Sequence, residues 1–100
     1  MSRDDARRSL IAYDVPDDRR RSRLAKALSR YGDRIQYSVF VVDVAPAKLL
    51  RLRSEVSSII DAEEDSVLFC DLGLRRSLND SVFSYIGAVR TITDDTSIIL

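Results

Sequence analysis

The sequence predicts one small domain in which strands and helices alternate. Three observations carry that prediction. The chain has 100 residues, enough for one hydrophobic core and too few for two. Three runs have strand character: "SLIAY" (9–13), "RIQYSVFVVDV" (34–44) and "SVLFCDL" (66–72). Between them lie two segments whose apolar residues recur at helical spacing, giving the order strand, helix, strand, helix, strand.

Ser9 to Tyr13 are apolar on both faces, as expected of a strand inside a sheet, and Pro16 prevents the strand continuing. A turn follows at Asp14 to Asp18, where Asp17 or Asp18 can serve as N-cap of a helix. That helix is expected to run to about Tyr31 and to stop at Gly32, a favourable C-terminal residue. Leu24, Ala27, Leu28 and Tyr31 share its core side, whereas Arg19, Arg23, Lys26 and Arg30 fall on the opposite side as a continuous basic stripe. Arg34 to Val44 reads, on composition, as one long strand. The second helix is expected from Pro46, which suits the first helical position, to about Ile60, with Leu49, Leu52, Val56 and Ile59 facing the core. The acidic "DAEED" (61–65) reads as a solvated turn, since its adjacent carboxylates lack the spacing of a calcium loop. "SVLFCDL" is again apolar on both faces, so Cys70 is expected to be a small buried hydrophobe. Beyond Gly73, "VFSYIGAV" and "TSIIL" each contain a short strand-like run, and the apolar chain end points to docking on a sheet or on another subunit.

Composition narrows the chemistry. With 45% hydrophobic and 32% charged residues the chain is too apolar for disorder, and no run is long enough to span a membrane. The N-terminal stretch lacks a signal peptide's apolar segment and one cysteine cannot form an internal disulfide, so a cytoplasmic location is expected. Net charge is zero, yet seven of the sixteen basic residues lie between Arg19 and Arg34. The balanced total therefore conceals a segment suited to phosphate. With no histidine, Ser-His-Asp hydrolysis and histidine-ligated zinc are excluded, and catalysis would rest on carboxylates, a hard metal ion, or both.

The stretch "YDVPDDRRRSRLAKALSRYGDRIQYSVFVVDV" resembles the N-terminal signature of the small CRISPR-associated endonuclease family of the spacer-acquisition machinery. Tyr-Asp at the end of the first strand, arginines opening the first helix, and Gly32, Arg34, Gln36, Ser38, Val39 and Phe40 occur in the family's order and spacing. The resemblance covers about Leu10 to Gly73 well and the last quarter in outline. It implies an α+β fold, a ferredoxin-like βαββαβ sandwich working as a homodimer, with residues 1–73 as the core. Residues 74–100 would then add a strand to the partner subunit's sheet. It also splits Arg34 to Val44 into a short strand, a tight turn near Tyr37-Ser38 and a longer strand, although no Gly or Asn-Gly marks that turn.

Asp14 is the candidate catalytic and metal-binding residue. On residue type alone, an Asp between a strand and a Pro-containing turn is commonly a side chain bonded to nearby backbone N–H groups. The resemblance instead implies that the Asp14 carboxylates of two subunits hold a magnesium ion between them, a metal that suits one or two carboxylates plus a phosphate. Arg19, Arg20 and Arg21 in a first helical turn oppose the helix dipole. They either pair with Asp17 and Asp18 or, with Arg23, Lys26, Arg30 and Arg34, contact nucleic-acid phosphates. Tyr13 and Phe40 could stack on a base or belong to the core; Gln36 and Ser38 could orient a phosphate or satisfy the hairpin.

The reading that follows is a homodimeric, magnesium-dependent endonuclease acting on RNA or DNA, which takes part in spacer acquisition with integrase subunits. The alternative is a non-catalytic architectural adaptor that holds DNA within the integration complex. A small-molecule-sensing ferredoxin-like dimer is opposed by the arginine-rich first turn.

Overall fold

The structure is a computed structural model that describes residues 5–79 and 83–89. Its elements follow the order β1 (Arg7–Asp14), α1 (Asp18–Ser29), β2 (Gly32–Gln36), β3 (Val39–Val44), α2 (Pro46–Ile59) and β4 (Ser66–Leu74), and a 3-10 turn follows at Arg75–Ser77. The four strands form one sheet in the order β2-β3-β1-β4, with antiparallel neighbours throughout. Both helices cover one face. Ile11 and Tyr13 of β1 and Phe40, Val42 and Val44 of β3 meet Leu24 and Leu28 of α1 and Leu52 and Val56 of α2 in the core. Each large apolar side chain so buried stabilises the fold by roughly 1.5–3 kcal/mol relative to exposure.

The first helix is set by its N-cap. The Asp17 side chain accepts a hydrogen bond from the Arg20 amide at 2.9 Å, and Asp18 adds a negative charge to the first turn. Such a cap contributes about 0.5–2 kcal/mol, and with Asp18 it offsets the arginines beside it. At the other end the expectation for Gly32 is corrected. The helix stops at Ser29, with Arg30 as C-cap, and Gly32 is the first residue of β2. The reason for glycine there is space, since a Cβ would lie 2.1 Å from the Val41 carbonyl oxygen.

The single long strand read from composition is also corrected, in favour of the hairpin that the resemblance implies. β2 and β3 are joined by a turn at Tyr37 and Ser38, and the register shifts between Arg34 and Gln36. No non-glycine residue among those described has positive φ, so the turn does not use the left-handed backbone that Asn-Gly supplies. The bulge takes up the strand twist, and the Arg34 guanidinium holds the turn by donating to the Tyr37 carbonyl from Nε at 3.0 Å and from Nη2 at 2.6 Å.

β4 departs from the sequence expectation in one respect. It is an edge strand whose helix-side residues Val67 and Phe69 pack on the core, whereas Leu68 and Cys70 are exposed. Cys70 is therefore not buried, because helices cover only one side of the sheet. Residues 83–89 are not strand as "VFSYIGAV" suggested, and "TSIIL" lies outside the described residues. Among the described residues no helix is long and apolar enough to cross a membrane.

Candidate nucleic-acid and metal site

β1 is the central strand bearing the expected site residue, and Asp14 is its last residue, opposite Ser66 of β4. Asp14 is exposed, and its carboxylate has no hydrogen-bond or ion-pair partner among the described residues. The turn-stabilising bond that an Asp at this position commonly makes is not formed. Because side chains alternate along a strand, Leu10, Ala12 and Asp14 share the face turned away from the helices.

The arginines after Asp14 divide into engaged and free. Arg20 reaches across to the acidic turn and makes a two-pronged bond with Asp65, Nε to Oδ2 at 2.7 Å and Nη2 to Oδ1 at 3.1 Å. The Asp65 side chain is closed off from solvent, and the Asp61 amide also donates to it at 2.9 Å. The Arg20 guanidinium holds the Asp65 carboxyl below the usual carboxylate range, against the opposing effect of burial, and Asp65 in turn raises Arg20. Arg21 donates to the Val15 carbonyl at 2.8 Å and pairs with Asp18, which ties the Pro16 turn to the helix. Arg19, Arg23 and Lys26 are exposed, with no side-chain partner among the described residues, and Arg30 pairs with Glu55 of α2. Arg23, Lys26 and Arg30 line a shallow groove of about 300 Å³ between the two helices. The basic stripe is thus a solvent-facing surface for its whole length.

The remaining candidates gather around the hairpin. Tyr13 and Phe40 are 7% and 0% exposed and stack with ring centroids 6.3 Å apart, so both rings belong to the core. The Tyr13 hydroxyl donates to the Tyr37 carbonyl at 3.4 Å. Burial pushes that phenol above its ordinary value, and the neighbouring Arg34 guanidinium opposes the shift. Arg34 also lies over the Tyr37 and Phe40 rings, at 5.2 and 5.6 Å from their centroids. Two of its five N–H donors are committed to the turn, which it builds. Gln36 and Ser38 flank Tyr37, and the Ser38 carbonyl accepts the Tyr13 amide at 3.1 Å, which fixes the hairpin tip beside the end of β1.

Sequence reasoning missed Asp65 as the partner of Arg20, because 45 residues separate them and no spacing rule links an N-terminal helical arginine to a distant turn. It also passed over Tyr37, which is 65% exposed at the hairpin tip. That signal was present: an aromatic residue at a turn position is not needed by the core. Among the described residues no group of three or more acids or cysteines could hold a metal ion.

The strand order and the two helices on one face define a ferredoxin-like α+β domain, here with a solvent-facing carboxylate at the end of its central strand and a cationic helix beside it. The family described as CRISPR associated protein Cas2 matches residues 7–84, and the chain belongs to that family. A CRISPR-associated endoribonuclease Cas2 of Synechocystis is 46% identical over 63 residues, which are 63% of this chain and 68% of that one. A protein of the same name from Thermus thermophilus is 46% identical over 56 residues, covering 56% of this chain and 60% of its own. The crystal structure of Streptococcus pyogenes Cas2 at pH 6.5 superposes with a TM-score of 0.71 at 30% identity, covering 80% of this chain and 99% of that one. A hypothetical protein of Thermus thermophilus gives 0.72 at 29% identity, over 85% and 95% of the two chains.

Proposed function

We propose that this chain is a magnesium-dependent endoribonuclease or endonuclease that acts as a homodimer in spacer acquisition, alongside integrase subunits. The observation that carries the reading is the state of Asp14: an exposed carboxylate at the end of the central strand, engaged by no described group. A carboxylate that served the turn would be bonded to it. The names of the relatives supply the substrate class, a polyribonucleotide.

Asp14 fits the donor set of magnesium, which keeps most of its waters and takes one or two carboxylates together with substrate phosphate. When bound, the ion supplies a Lewis acid for the scissile phosphate and a water of lowered pKa. The chain's own residues do the rest. Asp14 presents its charge at the rim of the sheet. Arg21, anchored on the Val15 carbonyl, fixes the turn that follows it. Arg19, Arg23 and Lys26 hold flanking phosphates as exposed cations, while Arg20 is committed to Asp65 and shapes the frame. The homodimer is supported by the β4 part of the sheet face that neither helix covers, where Leu68 is 58% exposed and Cys70 lies open beside it.

A second reading has an observation of its own. No group of three or more metal-ligating side chains is present among the described residues, which is sparse for an active site, and the exposed cations of α1 would suit an adaptor that only holds DNA. The deciding experiment is cleavage of single-stranded RNA, single-stranded DNA and duplex DNA, with and without magnesium, by the wild type and by Asp14→Asn. Asp14→Asn should lose magnesium-dependent cleavage by about two orders of magnitude or more while still binding nucleic acid. Cleavage retained by Asp14→Asn, in preparations free of contaminating nuclease, would sink the catalytic assignment. No cleavage by the wild type on any substrate would favour the adaptor.

A further inference from the structure

A cleft of about 580 Å³ opens between the β2–β3 hairpin and residues 85–88, lined by residues 35–39 of the hairpin, among them Gln36, Tyr37 and Ser38, and by Tyr85 and Ala88. Its volume is that of small-molecule sites, roughly 300–1,000 Å³. Neither helix contributes to it. It carries two exposed aromatic rings, Tyr37 at 65% and Tyr85 at 41%, beside an amide and a hydroxyl that can donate and accept hydrogen bonds. Tyr37 is held at two points: its carbonyl accepts from Arg34 Nε and Nη2, and the Arg34 guanidinium lies 5.2 Å from its ring centroid. A ring so fixed loses little freedom when something flat is laid against it. The cleft also adjoins the end of β1, since Ser38 in its wall bonds the Tyr13 amide one residue before Asp14.

We infer that this cleft is a nucleobase subsite, in which an unpaired base of the RNA next to the phosphate at Asp14 stacks on Tyr37 and meets Gln36 and Ser38 with its edge. The inference rests on the reading of Asp14 as the cleavage site for its position along the strand, and on the cleft alone for its chemistry. A phosphate would find no cation in its wall, because no lysine or arginine lines the cleft. An aliphatic ligand would leave Gln36 and Ser38 unmatched. A flat, amide-bearing aromatic satisfies both the rings and the polar rim, and a polyribonucleotide delivers one at every residue. The subsite requires the nucleotide to be out of a duplex, since a paired base has both its stack and its edge occupied.

The test uses a short single-stranded RNA with a fluorescent purine analogue placed at each position in turn. Binding is measured in metal-free buffer, and the RNA is checked for integrity afterwards. The full chain should quench the analogue at one position. Tyr37→Phe should preserve that quenching and Tyr37→Leu should abolish it, weakening binding by roughly five-fold to a hundred-fold, the size of one base–aromatic stack. An abasic residue at the quenched position should weaken the wild type equally and make Tyr37→Leu no worse. Equal affinity and quenching for wild type and Tyr37→Leu, or wild-type affinity for the abasic strand, would overturn the subsite. These readouts do not depend on cleavage. An Asp14→Asn protein that still cleaves would remove Asp14 from the chemistry and leave the quenching result to decide the cleft.

Discussion

At the residue scale, Asp14 and Asp65 show how differently two carboxylates can be used in one small domain. Asp14 ends a strand and is left to solvent, whereas Asp65 is enclosed and shared between the Arg20 guanidinium and the Asp61 amide. The folded-state pKa of Asp65 lies below its ordinary value, so the unfolded chain binds its proton more readily. The bond's contribution is therefore complete above the unfolded value, about 3.9, and is lost as pH falls through the depressed folded value. Asp65→Asn should lower the urea midpoint most near neutral pH, with the gap to wild type closing below about pH 4. Asp43 and Asp71, also held low by Arg8 and Arg7, are present in both proteins and cancel in that difference. A gap of constant size from neutral to acid pH would show that the pair contributes through shape and not charge. Residue type alone could not separate the two aspartates, because both read as turn formers and only the fold brings Arg20 to one of them.

At the element scale, periodicity carried the helices and failed on the hairpin for an identifiable reason. Leu24, Ala27 and Leu28 in α1 and Leu52 and Val56 in α2 are buried as their spacing requires, and Asp17 caps as its type requires. The β2–β3 turn is set by the Arg34 side chain and a bulge, neither of which leaves the Gly or Asn-Gly mark by which turns are read. The basic stripe on α1 was legible too, and the structure refines it, since Arg30 is drawn to Glu55 while Arg23 and Lys26 are free among the described residues. If the stripe contacts nucleic-acid phosphates, replacing Arg23, Lys26 and Arg30 with Gln should shallow the slope of log affinity against log salt. The change should be roughly one unit per lost contact on each subunit that touches the nucleic acid. Within the set, Arg30→Gln alone should change the slope least. An unchanged slope in the triple variant would place the contact on another face.

At the scale of the whole molecule, the face of the sheet turned away from the helices reconciles the apolar sequence of β4 with its exposure. Leu10 lies opposite Cys70 and Ala12 opposite Leu68, so one side of β1 and β4 forms an apolar strip that the chain's own helices do not cover. A second copy laid on that strip would bury it, and a stable interface needs about 800 Å² from each partner. The same alternation puts Asp14 two residues beyond Ala12 on that face, so two copies packed there would bring their Asp14 carboxylates toward one rim. Like charges held close oppose association unless a cation lies between them. Magnesium should therefore tighten the wild-type dimer, read as a lower dissociation constant by sedimentation equilibrium. Asp14→Asn should dimerise without metal and gain little from it. Leu68→Lys tests the face itself. Leu68 is exposed in a single copy, so the substitution should change that copy's stability by less than about 0.5 kcal/mol, yet it would place a charge in the buried strip and drive the dimer apart. A Leu68→Lys protein with wild-type dissociation constant and wild-type magnesium response would show that the copies meet elsewhere, and the two Asp14 carboxylates would then have no shared ion to hold.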